Sequence, residues 1–238
     1  MKRRKLLGTA SAKTSKGEKL NYLTGILYLA PHKIAGFNVC PHASIGCAAA
    51  CLYNAGRGKF TNVQLARISK TKYFRESPTE FMLNIVKDID ALIRKAKREG
   101  MTPCVRLNGT SDLPFIEMKF NGMRITDLFP DVQFYDYSPN YKRMIQYLNG
   151  GLPSNYHLTF SRKEDNEEQV ESVLSQGGNV AIVFEELPKT WKGYKVIDAD
   201  KHDLRFLDDT NVVCGLTFKG TKADKLKAIE SGFLIPSK

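Results

Sequence analysis

Two hydrophobic patterns alternate along the chain. Short apolar runs, rich in β-branched and aromatic residues, end abruptly in polar ones: NYLTGILYLAP (21–31), PCVRLNG (103–109), VQFYDYS (132–138), YHLTFS (156–161), NVAIVFE (179–185), YKVIDAD (194–200) and VVCGLTFKG (212–220). Each predicts a buried strand. Between them lie stretches of helical spacing. In the longest, Phe81, Met82, Ile85, Ile89, Leu92, Ile93 and Ala96 form one apolar stripe. Ser77 is placed to cap it, Pro78 suits its first turn, and Glu80 sits where a capping box requires it. Arg94, Lys95, Lys97 and Arg98 suit the negative end of its dipole, and Gly100 ends it. Residues 49–74 predict a short helix, a glycine-rich turn at 55–58 and a second helix. Residues 171–178 read as a helix end and 223–232 as a further helix.

Strands alternating with helical crossovers imply a parallel sheet with both faces covered. Six or seven such units predict an α/β fold, a partial (β/α)6 TIM-like barrel with parallel strands. An open doubly wound parallel sheet is the alternative. The 238 residues, 42% hydrophobic and 26% charged, suit one domain over 20–238. Residues 1–19, basic and polar, read as a flexible arm.

Charge adds a partner class. The formal net charge is +11, which favours a polyanion: DNA, RNA or a nucleotide. Part of the excess lies in Lys2, Arg3, Arg4 and Lys5, and part at the end of the long helix. The opening MKRRKLLGTASAK has too short an apolar segment for a signal peptide. No run approaches the roughly 20 apolar residues of a membrane span. A reducing cytoplasm is the expected compartment, and the odd count of five cysteines argues against a disulfide framework.

Polar residues gather where the strands end. Asn108, Thr110, Ser111 and Asp112 follow the second predicted strand. Asp136, Tyr137 and Ser138 close the third, and Thr159, Ser161 and Arg162 the fourth. Glu185 and Glu186 close the fifth, Asp198 and Asp200 the sixth, and Lys219 the last. Parallel α/β folds build their sites at this end.

The strongest chemical signal follows the first strand. CPHASIGCAAAC (40–51) spaces Cys40, Cys47 and Cys51 as C-x6-C-x3-C. A helical turn would put Cys47 and Cys51 on one face, with Cys40 folding back towards them. A buried, inert cluster is one reading. Structural zinc wants four ligands, with His32 or His42 as a fourth, but the gap of six is wide for it. A three-cysteine iron–sulfur cluster, with one iron left open, suits the spacing better.

That arrangement resembles the radical S-adenosylmethionine superfamily, whose cysteines follow the first strand of a (β/α)6 partial barrel. The spacing differs from its usual C-x3-C-x2-C. It looks closer to divergent bacteriophage-type families, which combine such a loop with segments resembling VRLNGTSDL (105–113), VQFYDYS (132–138) and LPSNYHLTFS (152–161). The resemblance spans roughly residues 20–220. It implies a [4Fe-4S] cluster on Cys40, Cys47 and Cys51, S-adenosylmethionine as cofactor, an electron donor, and a host cytoplasm if the chain is phage-encoded. By position, Asn108, Gly109, Thr110, Ser111 and Asp112 would bind the cofactor's methionine end, with Ser161 beside it. The usual run there is Gly-Gly-Glu, and Leu52 stands where an aromatic residue is common. The chemistry implied is electron transfer to S-adenosylmethionine and hydrogen abstraction from the substrate by a deoxyadenosyl radical. Asp112, Asp136 and Tyr137 are the catalytic candidates, and Arg106, Arg162 and Lys219 the substrate contacts.

Two other readings compete. One is a zinc-containing barrel enzyme that modifies or exchanges a nucleobase, with Asp112 or Asp136 as its carboxylate catalyst. The other is a non-catalytic nucleic-acid-binding protein with a metal knuckle. His157 and His202 stand alone and read as structural, Cys104 and Cys214 as core, and Asp198, Asp200 and Asp203, near His202, as a solvated turn, with metal binding as the alternative.

Overall fold

A computed structural model describes residues 5–51, 53 and 55–237. Nine strands form one mixed, mostly parallel sheet. Six of them are parallel and follow one another in chain order: β2 (Tyr22–Leu27), β3 (Thr102–Arg106), β6 (Gln133–Ser138), β7 (Tyr156–Ser161), β8 (Val180–Phe184) and β11 (Val213–Thr217). This run does not reverse, as a doubly wound sheet would in its middle. The exception lies at one edge, where β10 (Tyr194–Asp198) pairs in parallel with the far side of β11. Short antiparallel strands finish the edges: β1 (Leu7–Gly8) on β2 and β9 (Thr190–Trp191) on β10. A separate hairpin joins β4 (Lys119–Phe120) to β5 (Met123–Arg124).

Helices cover the face that alternation makes apolar. Leu23, Val105, Phe134, Leu158, Ile182 and Val213 share one core with Phe81, Ile85 and Ile89 of α4 (Pro78–Glu99), Met144 of the helix Tyr141–Leu148 and Val173 of the helix Glu167–Ser175. The intervening residues face the other way, where Leu204 packs with Cys104 and Tyr135. Phe206 stacks edge-on against Tyr22 and Tyr135, at 5.3 and 5.4 Å between centroids. On the same side α1 (Ala12–Glu18) packs on β2, and its Lys16 Nζ donates to the Asp200 carbonyl just after β10.

Three expectations change. The stretch 1–19 is not a free arm from Lys5 onward: Leu6 and Leu7 are buried, and both their amides donate to Asp88 Oδ2 of α4, at 2.6 and 3.0 Å. Residues 1–4 lie outside the described residues. The α4 capping box is absent, because Ser77 makes no side-chain cap bond, although Pro78 opens the helix and Gly100 closes it in the left-handed region (φ 66°). Asp203 is not in a solvated turn but buried, under the sheet's second face. Among the described residues no helix is long and apolar enough to cross a membrane.

Candidate functional site

The carboxyl ends of β3, β6, β7, β8 and β11 surround a cavity of about 270 Å³. Its lining includes Cys40, Cys47 and Cys51 from the loop after β2, and Asn108, Gly109, Thr110, Ser111 and Asp112 from the turn after β3. Arg106, Tyr137, Ser161, Arg162 and Lys219 complete most of the predicted set. Asp136 does not line it, because alternation turns Tyr137 into the cavity and Asp136 towards the helices.

The cysteine loop is held from both sides. Val39 accepts the Asp112 amide at 2.9 Å. The Cys40 sulfur receives the His32 amide at 3.4 Å, and its thiol donates to the Thr110 carbonyl at 3.6 Å. These contacts fasten the loop to the turn after β3. On the other side α2 (Ile45–Ala49) is capped by Ser44, whose oxygen accepts the Cys47 amide at 3.1 Å. Glu164, in the loop after β7, accepts the Ser44 hydroxyl at 2.6 Å and the Gly46 amide at 2.7 Å. A side chain on Gly46 would come within 2.7 Å of Phe233 and Ser231, so the glycine permits this docking. The helix is shorter than the predicted turn and ends before Cys51.

All five cysteines are free thiols. Burial pushes Cys40 up to about 11 and Cys47 up to about 12, and the nearby thiols add to both shifts. Burial also raises Cys51. Turning this group into thiolates therefore requires a compensating positive centre. Among the described residues no three His, Cys, Asp or Glu side chains converge as they would on a single ion. Thiolates on one zinc stand within a few ångströms of each other, about 2.3 Å from the metal. Thiolates on a cluster bind different irons and stand further apart.

Asn108 builds the turn after β3. Its Oδ1 accepts from Ser111 Oγ and the Leu113 amide, at 2.8 and 2.9 Å. Its Nδ2 donates to the Leu113 carbonyl and to Asp136 Oδ2. The other Asp136 oxygen takes the Asn108 amide at 2.8 Å. Burial pushes the Asp136 carboxyl up to about 7. The pair thus shapes the turn, and the Asn108 amide group is spent within it. Gly109 is needed for close approach to β2, since a Cβ there would lie 2.7 Å from the Leu27 carbonyl oxygen.

What remains open to a ligand is narrower. Thr110 and Ser111 donate their protons to Leu29 O and Asn108 Oδ1 and keep acceptor lone pairs. Asp112 Oδ1 accepts from Ser138 at 2.7 Å and pairs with Arg143 at 2.8 Å, while its Oδ2 is buried without a partner. Burial raises the Asp112 carboxyl, against the pull of Arg143. His32 lines the cavity with Nε2 buried and unpartnered. His42, the other suggested ligand, bonds Asn140 in a neighbouring groove.

The cavity's cations are paired. Arg106 meets Asp203 at 2.8 Å and stacks over the Tyr137 ring at 4.4 Å, and the Tyr137 hydroxyl donates to Asp203 at 3.2 Å. Arg162 pairs with Glu167 and donates to the Gly232 and Phe233 carbonyls. Lys219 pairs with Asp200. Sequence reasoning misses Glu164 altogether and misplaces Asp203. Glu164 sits in an ordinary polar loop, and no local pattern marks it.

A family model described as Gene product 88 matches residues 2–235. No curated protein and no solved structure matches the chain.

Proposed function

The chain belongs to the gene product 88 family, and we propose that it is a radical S-adenosylmethionine-like iron–sulfur enzyme on a partial (β/α)6 barrel. Its substrate would be a nucleic acid or nucleotide, and a separate electron donor would serve it. One observation carries the reading: the three thiols after β2 and the turn after β3 open onto one cavity. The run of six parallel strands in chain order supports the barrel.

The residues fit the implied groups. Cys40, Cys47 and Cys51 would hold the cluster, three thiols against a cluster's need for sulfur donors with one iron left free. Bound, it would supply the electron that cleaves S-adenosylmethionine. Asp112 Oδ2, buried without a partner, is the acceptor for the cofactor's ammonium group, with Thr110 and Ser111 lone pairs beside it. Ser161 lines the cavity with them. Tyr137 and Arg106 form a rigid wall there, Arg162 braces the C-terminal segment, and Lys219 reaches the rim. Asp136 acts as a positioning residue for the turn, not as a group that meets substrate.

The test is anaerobic purification with iron, sulfide and zinc determined together. Iron and sulfide near four each, lost in Cys47→Ala, support the proposal. Stoichiometric zinc without sulfide sinks it.

A further inference from the structure

The excess positive charge of this chain is unevenly placed. Between Glu18 and Glu76 there is no acidic residue, while Lys19, Lys33, Arg57, Lys59, Arg67, Lys70, Lys72 and Arg75 fall in that interval. The interval contains the whole cysteine loop and all but the last residue of α3 (Thr61–Glu76). The cations that line the cavity are neutralised by Asp203, Glu167, Asp165 and Asp200. The cations at the end of α4 lie just before β3 begins, at the end of the sheet opposite the cavity.

The acid-free segment borders the cavity. Arg67 of α3 lies over the Tyr28 and Tyr53 rings, at 4.8 and 5.6 Å. Ile68 and Cys51 pack on one small core with Ala30, Ala35 and Tyr53. The helix thus backs the third cysteine. Its outward side, and the short helical turn Gly56–Lys59 packed on it, carry exposed Arg57, Lys59 and Lys72, with exposed Lys33 on the loop before. Among the described residues none of these four forms an ion pair. Between them stands Phe60, 51% exposed, directly after Lys59. Unpaired cations interleaved with an exposed aromatic ring match the chemistry of an unpaired nucleic-acid strand, whose phosphates the cations meet and whose bases stack on the ring.

We propose that residues 56–72, with Lys33, form a binding surface for single-stranded nucleic acid that leads to the cavity. The proposal deepens the substrate reading above and rests on it only for the purpose of the surface. Binding is measured on the protein whatever metal it holds, so failure of either reading leaves the other standing.

The experiment is fluorescence anisotropy with a labelled single strand of about 20 nucleotides and the matching duplex, over salt from about 50 to 300 mM. The single strand is expected to bind more tightly than the duplex. Arg57→Ser with Lys59→Ser should weaken it at least about tenfold and lower the log–log salt slope by about 1.4, the loss of two phosphate contacts. Phe60→Ala should weaken the single strand about fivefold or more while leaving the duplex unchanged. Lys97→Ser with Arg98→Ser, an equal charge loss on α4, should change little. The proposal is overturned by no binding at low salt, by equal affinity for duplex, or by an α4 pair that matters as much as Arg57 and Lys59. Displacement of the strand by an acidic polypeptide at equal charge concentration would also overturn it, since the surface would then suit an acidic protein.

Discussion

Glu164 accepts the Gly46 amide at 2.7 Å across 118 residues of sequence. The same carboxylate takes the Ser44 hydroxyl, so the start of the cysteine helix is tied to the loop after β7. Glu164→Ala leaves both donors without their acceptor, at a cost of about 1–3 kcal/mol. Faster hydrogen exchange at the Gly46 amide and quicker loss of bound metal to a chelator should accompany it. Unchanged exchange at Gly46 would show that the docking of α2 does not depend on this carboxylate.

Gly109→Ala should destabilise the protein by about 1–3 kcal/mol. The new methyl meets a backbone oxygen, Leu27 O at 2.7 Å, that cannot rotate away. Urea unfolding measures the loss. A midpoint equal to that of the parent protein would mean that the turn moves freely against β2, and with it the cavity wall.

Arg106 and Asp203 are both buried and face each other at 2.8 Å. Replacing Asp203 by Leu strands a buried guanidinium and should cost about 3–5 kcal/mol. Adding Arg106→Met should restore much of that, because a well-packed apolar pair removes the desolvation of both charges. A double-mutant cycle by chemical denaturation reads the coupling, and simple additivity would argue against it.

Two groups with large, opposing shifts contribute to stability between about pH 4 and 7. Burial lowers His157 to about 4 from its ordinary 6.5. In that window the unfolded chain binds the extra proton, so stability falls as pH falls. Burial raises Asp136 to about 7 from 3.8. There the folded chain holds the extra proton, so stability rises as pH falls. Relative to the parent protein, His157→Gln should therefore gain stability, and Asp136→Asn lose it, as pH falls towards 4. Parallel curves for the two variants would contradict both shifts.

The strands were legible in the sequence because burial on one face imposes local alternation, and YHLTFS coincides with β7 residue for residue. The cysteine loop and the turn after β3 were legible because their composition is unusual. Residues 5–19 were not, since Leu6 and Leu7 directly follow a basic run and their anchor, Asp88, lies in a distant helix. Asp203 misled for the same reason: its partners Arg106 and Tyr137 come from strands far back in the chain.

The sequence by itself determined the parallel strands, the long helix and a three-thiol loop at a strand's carboxyl end. These follow from local periodicity and residue chemistry. Only the tertiary structure decided which polar residues share the cavity. It turned Tyr137 in and Asp136 away, neutralised Arg106 with Asp203, and seated the cysteine helix on Glu164. Such pairings depend on which strands lie side by side and how far the loops fold back. Contacts separated by a hundred residues leave no trace in a local pattern.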